Sequence, residues 1–241
     1  DGSLLWEHKS DSSTIKSSKK ISIAISDNKV LFNNSIGDIN AIDVNNGKLI
    51  WLTPTANKQS LIQPYLLKIS DLVINDKSVV FSNNNNEFFS IDLNSGFINW
   101  KQKINSYIRP VIVHDFIFTI TLDGYLVVIN NLSGNIIRTT NVFGKLSKKS
   151  RDLNLFKSKK MNPLYIFDTL EKKENKKQIK SEFKPVGLLI GQKDIFVSTS
   201  HGKLFIVNIL NGKTKSILNI DKDKISRPFF SNKNLYLIKE D

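Results

Sequence analysis

Eleven residues, AIDVNNGKLIW at 41–51, return almost unchanged as SIDLNSGFINW at 90–100. A repeat constrains a chain more than any single motif does. Each copy must fold alike and bury its apolar face against the next copy. Aligned on its glycine, the stretch has further copies in DGSLLW, VINNLSGNIIR and IVNILNGKTKS. The aligned glycines are Gly2, Gly47, Gly96, Gly134 and Gly212, separated by 45, 49, 38 and 78 residues.

Three columns accompany that glycine. Four residues before it stand Asp43, Asp92, Asn130 and Asn208, whose short side chains can hold the backbone N–H groups of a following turn. Four residues after it stand Trp6, Trp51 and Trp100, so one column takes every Trp in the chain; later copies carry Arg138 and Ser216 there. Six residues before the Asx column stand Gly37, Asn86, Gly124 and Gly202, the residue types that tolerate a left-handed turn. A β-rich run precedes each of these: KVLFNN, SVVFSN, DFIFTIT and DIFVSTS. Before each run come a polar turn and another apolar run.

Each unit therefore holds four short strands, A to D, joined by tight turns. A four-stranded repeat of about 40–45 residues is the pattern of a β-propeller blade. The expected fold is all-β, a propeller of four-stranded antiparallel blades. Four blades are complete, at about 20–53, 66–102, 108–140 and 184–218, with partial blades at both ends of the chain. Residues 225–240 supply strands A and B of a fifth, and residues 1–7 a lone strand D. The chain is expected to be a fragment cut inside a blade at each end, a single propeller domain over 1–241. The Trp column is expected to pack between neighbouring blades.

Composition closes several routes. There is no Cys, so disulfides and thiolate metal sites are excluded. His8, His114 and His201 lie too far apart for local metal-ligand spacing and are read as turn or surface residues. No apolar run is long enough for a membrane-spanning helix. The net charge of +13 asks for an acidic partner or surface. Residues 145–184 hold 13 basic and 5 acidic side chains, so they carry +8 of it. Residues 145–183 read as a basic inserted loop between blades 3 and 4, with a short helix near 163–180. A solvated loop is one reading; an arm that docks a membrane surface or a partner is the other. Nucleic acid is not expected, because aromatic residues do not interleave with the lysines as a stacking platform needs.

One column carries more than turn chemistry. Arg109-Pro110 in YIRPVIV and Arg227-Pro228 in ISRPFF stand at the entrance of strand A, and Lys184-Pro185 matches loosely. Proline fixes φ and holds the preceding residue extended. Strand A is innermost in a propeller, so these basic residues are expected to ring one rim. They either cap carbonyls at the strand entrance or meet the carboxylates of a partner, with Ile108 as an apolar anchor.

At the D-x-x-x-G-x-x-x-W columns the chain resembles the PQQ-like repeat propellers. That superfamily includes the quinoprotein dehydrogenases and the outer-membrane assembly factors of the BamB type, and the chain is most like the latter. This resemblance implies a non-enzymatic periplasmic scaffold at the inner face of the outer membrane. It would bind the periplasmic domains of the β-barrel insertase BamA and assist insertion of outer-membrane proteins. It also implies a lipid-anchored N-terminus and further blades outside these 241 residues. In such proteins a hydrophobic-plus-Arg segment contributes to the BamA contact, and Tyr107-Ile108-Arg109 is similar to it. No cofactor, metal or small-molecule substrate is expected. Two other functions stay open: a PQQ-dependent quinoprotein dehydrogenase and a general propeller adaptor for another protein.

Overall fold

In the computed structural model, residues 2–10, 21–55, 67–144 and 183–239 are described. The expected basic loop at 145–183 therefore lies almost wholly outside them, as does its short helix. The first sheet runs β1 (Ile23–Ser26), β2 (Lys29–Asn33), β3 (Ile39–Asp43), β4 (Leu49–Thr53). The second runs β5 (Val73–Ile74), β6 (Ser78–Asn83), β7 (Glu87–Asp92), β8 (Ile98–Gln102). The third holds β9 (Val111–Val113), β10 (Phe116–Ile120), β11 (Tyr125–Asn130) and β12 (Ile136–Asn141). In the fourth are β13 (Pro185–Ile190), β14 (Asp194–Thr199), β15 (Lys203–Asn208) and β16 (Thr214–Asn219). A two-stranded sheet of β17 (Phe229–Ser231) and β18 (Asn234–Tyr236) follows. Each four-stranded sheet pairs its strands in chain order. These are the blades of a β-propeller, as the repeat predicts.

The turn columns behave as their chemistry requires. In the B–C hairpins Gly37, Asn86, Gly124 and Gly202 have φ of 108°, 62°, 81° and 60°. In the C–D turns Gly47, Gly96, Gly134 and Gly212 have φ of 68°, 74°, 73° and 69°. The Asx side chain sets up each C–D turn. Asp43 Oδ1 accepts the N–H of Asn45 at 2.7 Å, and Asp92 Oδ1 that of Ser95 at 2.8 Å. Asn130 and Asn208 repeat this with Ser133 and Leu210. Hydrogen bonds from Ser95, backbone first and then hydroxyl, hold the Asp92 carboxyl below its usual range.

Stacked sheets bury both faces of their middle strands, so those strands read as continuous apolar runs rather than alternating ones. All six residues of β6 are buried. One core joins Leu31, Ile39, Ala41 and Trp51 of the first sheet to Val79, Phe81, Phe89 and Ile91 of the second.

The described chain forms two compact units, residues 1–117 with 129–135 and residues 118–128 with 136–241. In the first unit the Trp column does one job three times. Trp6 Nε1 donates to Val44 O at 2.8 Å, Trp51 Nε1 to Leu93 O at 3.1 Å, and Trp100 Nε1 to Asn131 O at 3.0 Å. Each acceptor directly follows the Asx residue of the next blade. Each ring also lies on that blade's turn glycine. A Cβ on Gly96 would stand 2.7 Å from Trp51 Cδ2, and one on Gly134 2.6 Å from Trp100 Cδ2. Residues 2–10 form no ladder, yet Trp6 sits on Gly47 in the same way.

A second tie follows two residues later. Thr53 Oγ1 donates to Gly96 O at 2.5 Å and Gln102 Nε2 to Gly134 O at 2.8 Å. His8 Nδ1 lies 3.0 Å from Gly47 O, so the proton sits on that nitrogen. His8 is thus an inter-blade tie and not a free surface residue.

In the second unit the column is kept by a different residue. Arg138 stands where the earlier blades have Trp, and its guanidinium donates to Ile209 O at 2.7 Å and also to Leu210 O. Ile209 is again the residue after the Asx. Burial lowers the pKa of this guanidinium, and the two carbonyls supply what replaces its water.

Trp51→Ala and Trp100→Ala should each lower the unfolding free energy by about 3–5 kcal/mol, the usual loss for a large aromatic in a core. Denaturant titration checks this, and losses below about 1 kcal/mol at both would remove the Trp column as inter-blade packing. Arg138→Ala should cost about 1–3 kcal/mol, the range for hydrogen bonds from a charged donor.

Candidate partner-binding site

The A–B hairpins fix the register of strand A. The A–B hairpins close at Ser26–Lys29, Asn75–Ser78, Gly191–Asp194 and Ser231–Asn234. In the third sheet, Val113 and Phe116 flank the turn. Counting four residues back from each hairpin's first residue gives Ser22, Asp71, Arg109, Gly187 and Arg227. Arg109 and Arg227 do share a column, as expected. Lys184 does not belong to it. Lys184 lies three residues before Gly187, the residue that holds this place in β13. The column is therefore not a basic ring, since Asp71 occupies it in the second blade. The sequence signal for Asp71 was available, by counting back from the Asn75-Asp76 turn.

In the second unit, Arg227 is a strut. Its Nε donates to Leu188 O at 3.3 Å. Its Cα, Cβ and Cγ lie over Gly187, where an added Cβ would meet them at 2.5–2.6 Å. This is the carbonyl-capping arrangement. Lys184 is exposed and its backbone is tied to Ser200, whose N–H donates to Lys184 O at 2.9 Å.

In the first unit the same column position has another fate. Arg109 is exposed and makes no hydrogen bond or ion pair among the described residues. Asp71 holds the position that Gly187 holds in the fourth blade. A side chain there removes the bare backbone on which Arg227 rests. Asp71 and Arg109 line a common groove without forming an ion pair. Tyr107 lies under Lys68, whose Nζ is 5.4 Å from the ring centroid. Ile108 is 4% exposed, so the expectation that it anchors a partner at the surface is corrected: its side chain is packed inside the blade. The backbone reason is local, since Ile108 N–H donates to Ser106 Oγ and the next residue, not this one, points out.

Among the described residues no group of three or more His, Asp or Glu could hold a metal ion. His114 sits in the A–B turn at φ 50°, and His201 Nδ1 faces Ser200 Oγ at 3.0 Å.

A family model described as outer membrane protein assembly factor BamB matches residues 1–140. The chain belongs to this family. Among solved structures, BamB from Moraxella catarrhalis superposes with a TM-score of 0.69 at 15% identity, covering 99% of this chain and 61% of that one. The computationally designed Ika8 protein gives 0.61 at 15% identity, covering 96% and 57%. The Cps50 (Swd1) β-propeller domain of Myceliophteria thermophila gives 0.62 at 8% identity, covering 91% and 62%. The chain spans about three-fifths of the length of these structures. At such identities they establish the propeller fold of this BamB-family chain. No curated protein matches its sequence.

The two arginines should separate on mutation. Arg227→Ala should lower the unfolding free energy by about 1–3 kcal/mol, because it removes a hydrogen bond from a charged donor and uncovers Gly187. Arg109→Ala should change it by less than about 0.5 kcal/mol, as expected for an unpaired surface side chain. Denaturant titration of both variants reads the difference, and equal losses would contradict the strut.

Proposed function

We propose that this chain is the propeller of a non-enzymatic periplasmic scaffold in the outer-membrane β-barrel assembly machinery. It holds the periplasmic domains of the BamA insertase at the inner face of the outer membrane. The family match over residues 1–140 carries this reading. The site that supports it best is the first unit's strand A entrance, where Arg109 offers a guanidinium that is unpaired among the described residues and suited to a carboxylate.

The physics favours Arg109 over its companions. Arg227 gives its Nε–H to a carbonyl of its own fold. Lys184 is exposed but lies outside the register of that column. A rim charge of this kind steers encounter and sets orientation more than it adds affinity. Its effect is therefore strongest at low salt, since the screening length shrinks to about 8 Å at physiological ionic strength.

Arg109→Glu should weaken binding to the purified BamA periplasmic region about tenfold at low salt, chiefly through a slower association rate. The melting temperature should stay within about 1–2 °C of wild type. Deleting residues 148–180 should weaken binding less. Biolayer interferometry at two salt concentrations reads both, and wild-type binding by Arg109→Glu would reject this rim as the docking site.

A further inference from the structure

The groove beside Arg109 has a shape and a polarity that the docking reading leaves unused. It has a volume of about 560 Å³ and lies wholly within the first unit. Residues 21–25, residues 71–74 and Arg109 line it. That volume is in the range of ordinary ligand sites. Two strands form its sides. β1 pairs only with β2 and β5 only with β6, so each has an edge without a ladder partner among the described residues. Such an edge presents unpaired N–H and C=O groups, a template for a further strand.

The side chains beside that edge are apolar at every second position. Ile23 and Ile25 are 64% and 66% exposed, while Ala24 between them packs toward the core. Isolated exposed isoleucines are ordinary on a protein surface. A period-2 row of them along an open strand edge is the counterpart of an extended chain with alternating apolar residues. Arg109 adds a fixed charge to this groove. It pairs with nothing among the described residues, so a carboxylate can take it without displacing a partner among them. Asp71, also in the lining, disfavours a second carboxylate beside it. The site thus asks for one negative charge and not for a run of them.

We propose that this groove captures an extended apolar segment of another protein that carries a single carboxylate. The segment adds along the open edge of β1, sets its alternate side chains against Ile23 and Ile25, and gives its carboxylate to Arg109. The four residues of β1 span roughly 13 Å at about 3.3 Å each, so the register involves about four residues of the segment. This goes beyond the scaffold reading and shares only Arg109 with it.

The test uses the full chain and a fluorescein-labelled peptide of alternating valine and serine with one terminal glutamate. Its glutamine and lysine versions serve as controls. Fluorescence anisotropy should show saturable binding of the glutamate peptide. The glutamine version should bind at least about tenfold more weakly, the worth of a charge-assisted hydrogen bond. Ile25→Asp should abolish binding with the melting temperature unchanged. Arg109→Glu should reject the glutamate peptide and regain binding to the lysine version, a reversal that a merely damaged fold would not give. Absence of saturable binding, or binding indifferent to Ile25→Asp and to the peptide's charge, overturns the proposal. Loss of the BamA contact in Arg109→Glu without this peptide behaviour overturns the groove and leaves the scaffold reading standing. Peptide capture with an unaffected BamA contact leaves the groove standing and rejects only the Arg109 rim as the BamA docking site.

Discussion

The indole lying on a glycine is the contact from which the rest of this propeller follows. It needs three conditions at once. The Asx side chain must hold the C–D turn, so that the turn carbonyl points outward at a fixed place. The glycine must take positive φ and leave its α-carbon bare, because any Cβ there would enter the ring of the preceding blade's Trp. The Trp must be long enough to cross the gap and still present an N–H to that carbonyl. A flat ring on a bare backbone gives close packing, and the single donor fixes its direction. The Asx and the glycine set the turn, and the residue that crosses the gap must suit them both. This is why the repeat is written in columns rather than as a general apolar pattern.

Arg138 shows which part of that contact is essential. It lacks the apolar area of an indole but is planar and carries several donors. It reaches the same carbonyl as a Trp would, Ile209 O, and the next one as well. The glycine beneath is retained, with Thr140 and Arg138 filling the space over Gly212. The geometry of the turn carbonyl is thus conserved within the chain across a change of side chain. Burial area is the variable term, and the directed hydrogen bond is the constant one.

What could be read from the residues was whatever the backbone forces locally. Turn glycines, Asx residues and strand count are fixed by φ and by short-range hydrogen bonds, so Gly37, Gly124, Asp43 and Asp92 were legible by spacing alone. Register on strand A needed a count from its turn: Lys184 stands seven residues before Gly191, whereas Arg109 and Arg227 stand four residues before Val113 and Ser231, so the basic-Pro likeness of KPVG is local only. The burial of Ile108 follows the alternation of its stretch, in which Ile104, Ser106, Ile108 and Pro110 are buried and Arg109 is exposed, so Ile108 and Arg109 could not both face a partner. Trp51 illustrates the opposite case. A bulge at the Leu49–Trp51 step breaks the alternation of β4 and leaves Leu49, Ile50 and Leu52 exposed, but the columns still identified Trp51. Such a bulge also blunts an outer strand against pairing with another chain.

The contrast between Arg227 and Arg109 follows from one neighbour. Both stand at the same register position and both precede proline. Arg227 finds Gly187 in the adjacent blade and lays its stem on bare backbone, which brings Nε to Leu188 O. At the corresponding place beside Arg109 stands Asp71, with a side chain where Gly187 has none. The Arg109 guanidinium is exposed and donates to no carbonyl among the described residues. A repeat makes this kind of divergence inexpensive, since the inter-blade contacts through the Trp column are independent of what strand A carries. A position that is a structural tie in one blade can become a charged contact in another by a change at its neighbour alone. Asp71 is that change here, and it bounds the choice of ligand as well. A carboxylate can meet Arg109, but only if it approaches on the side away from Asp71.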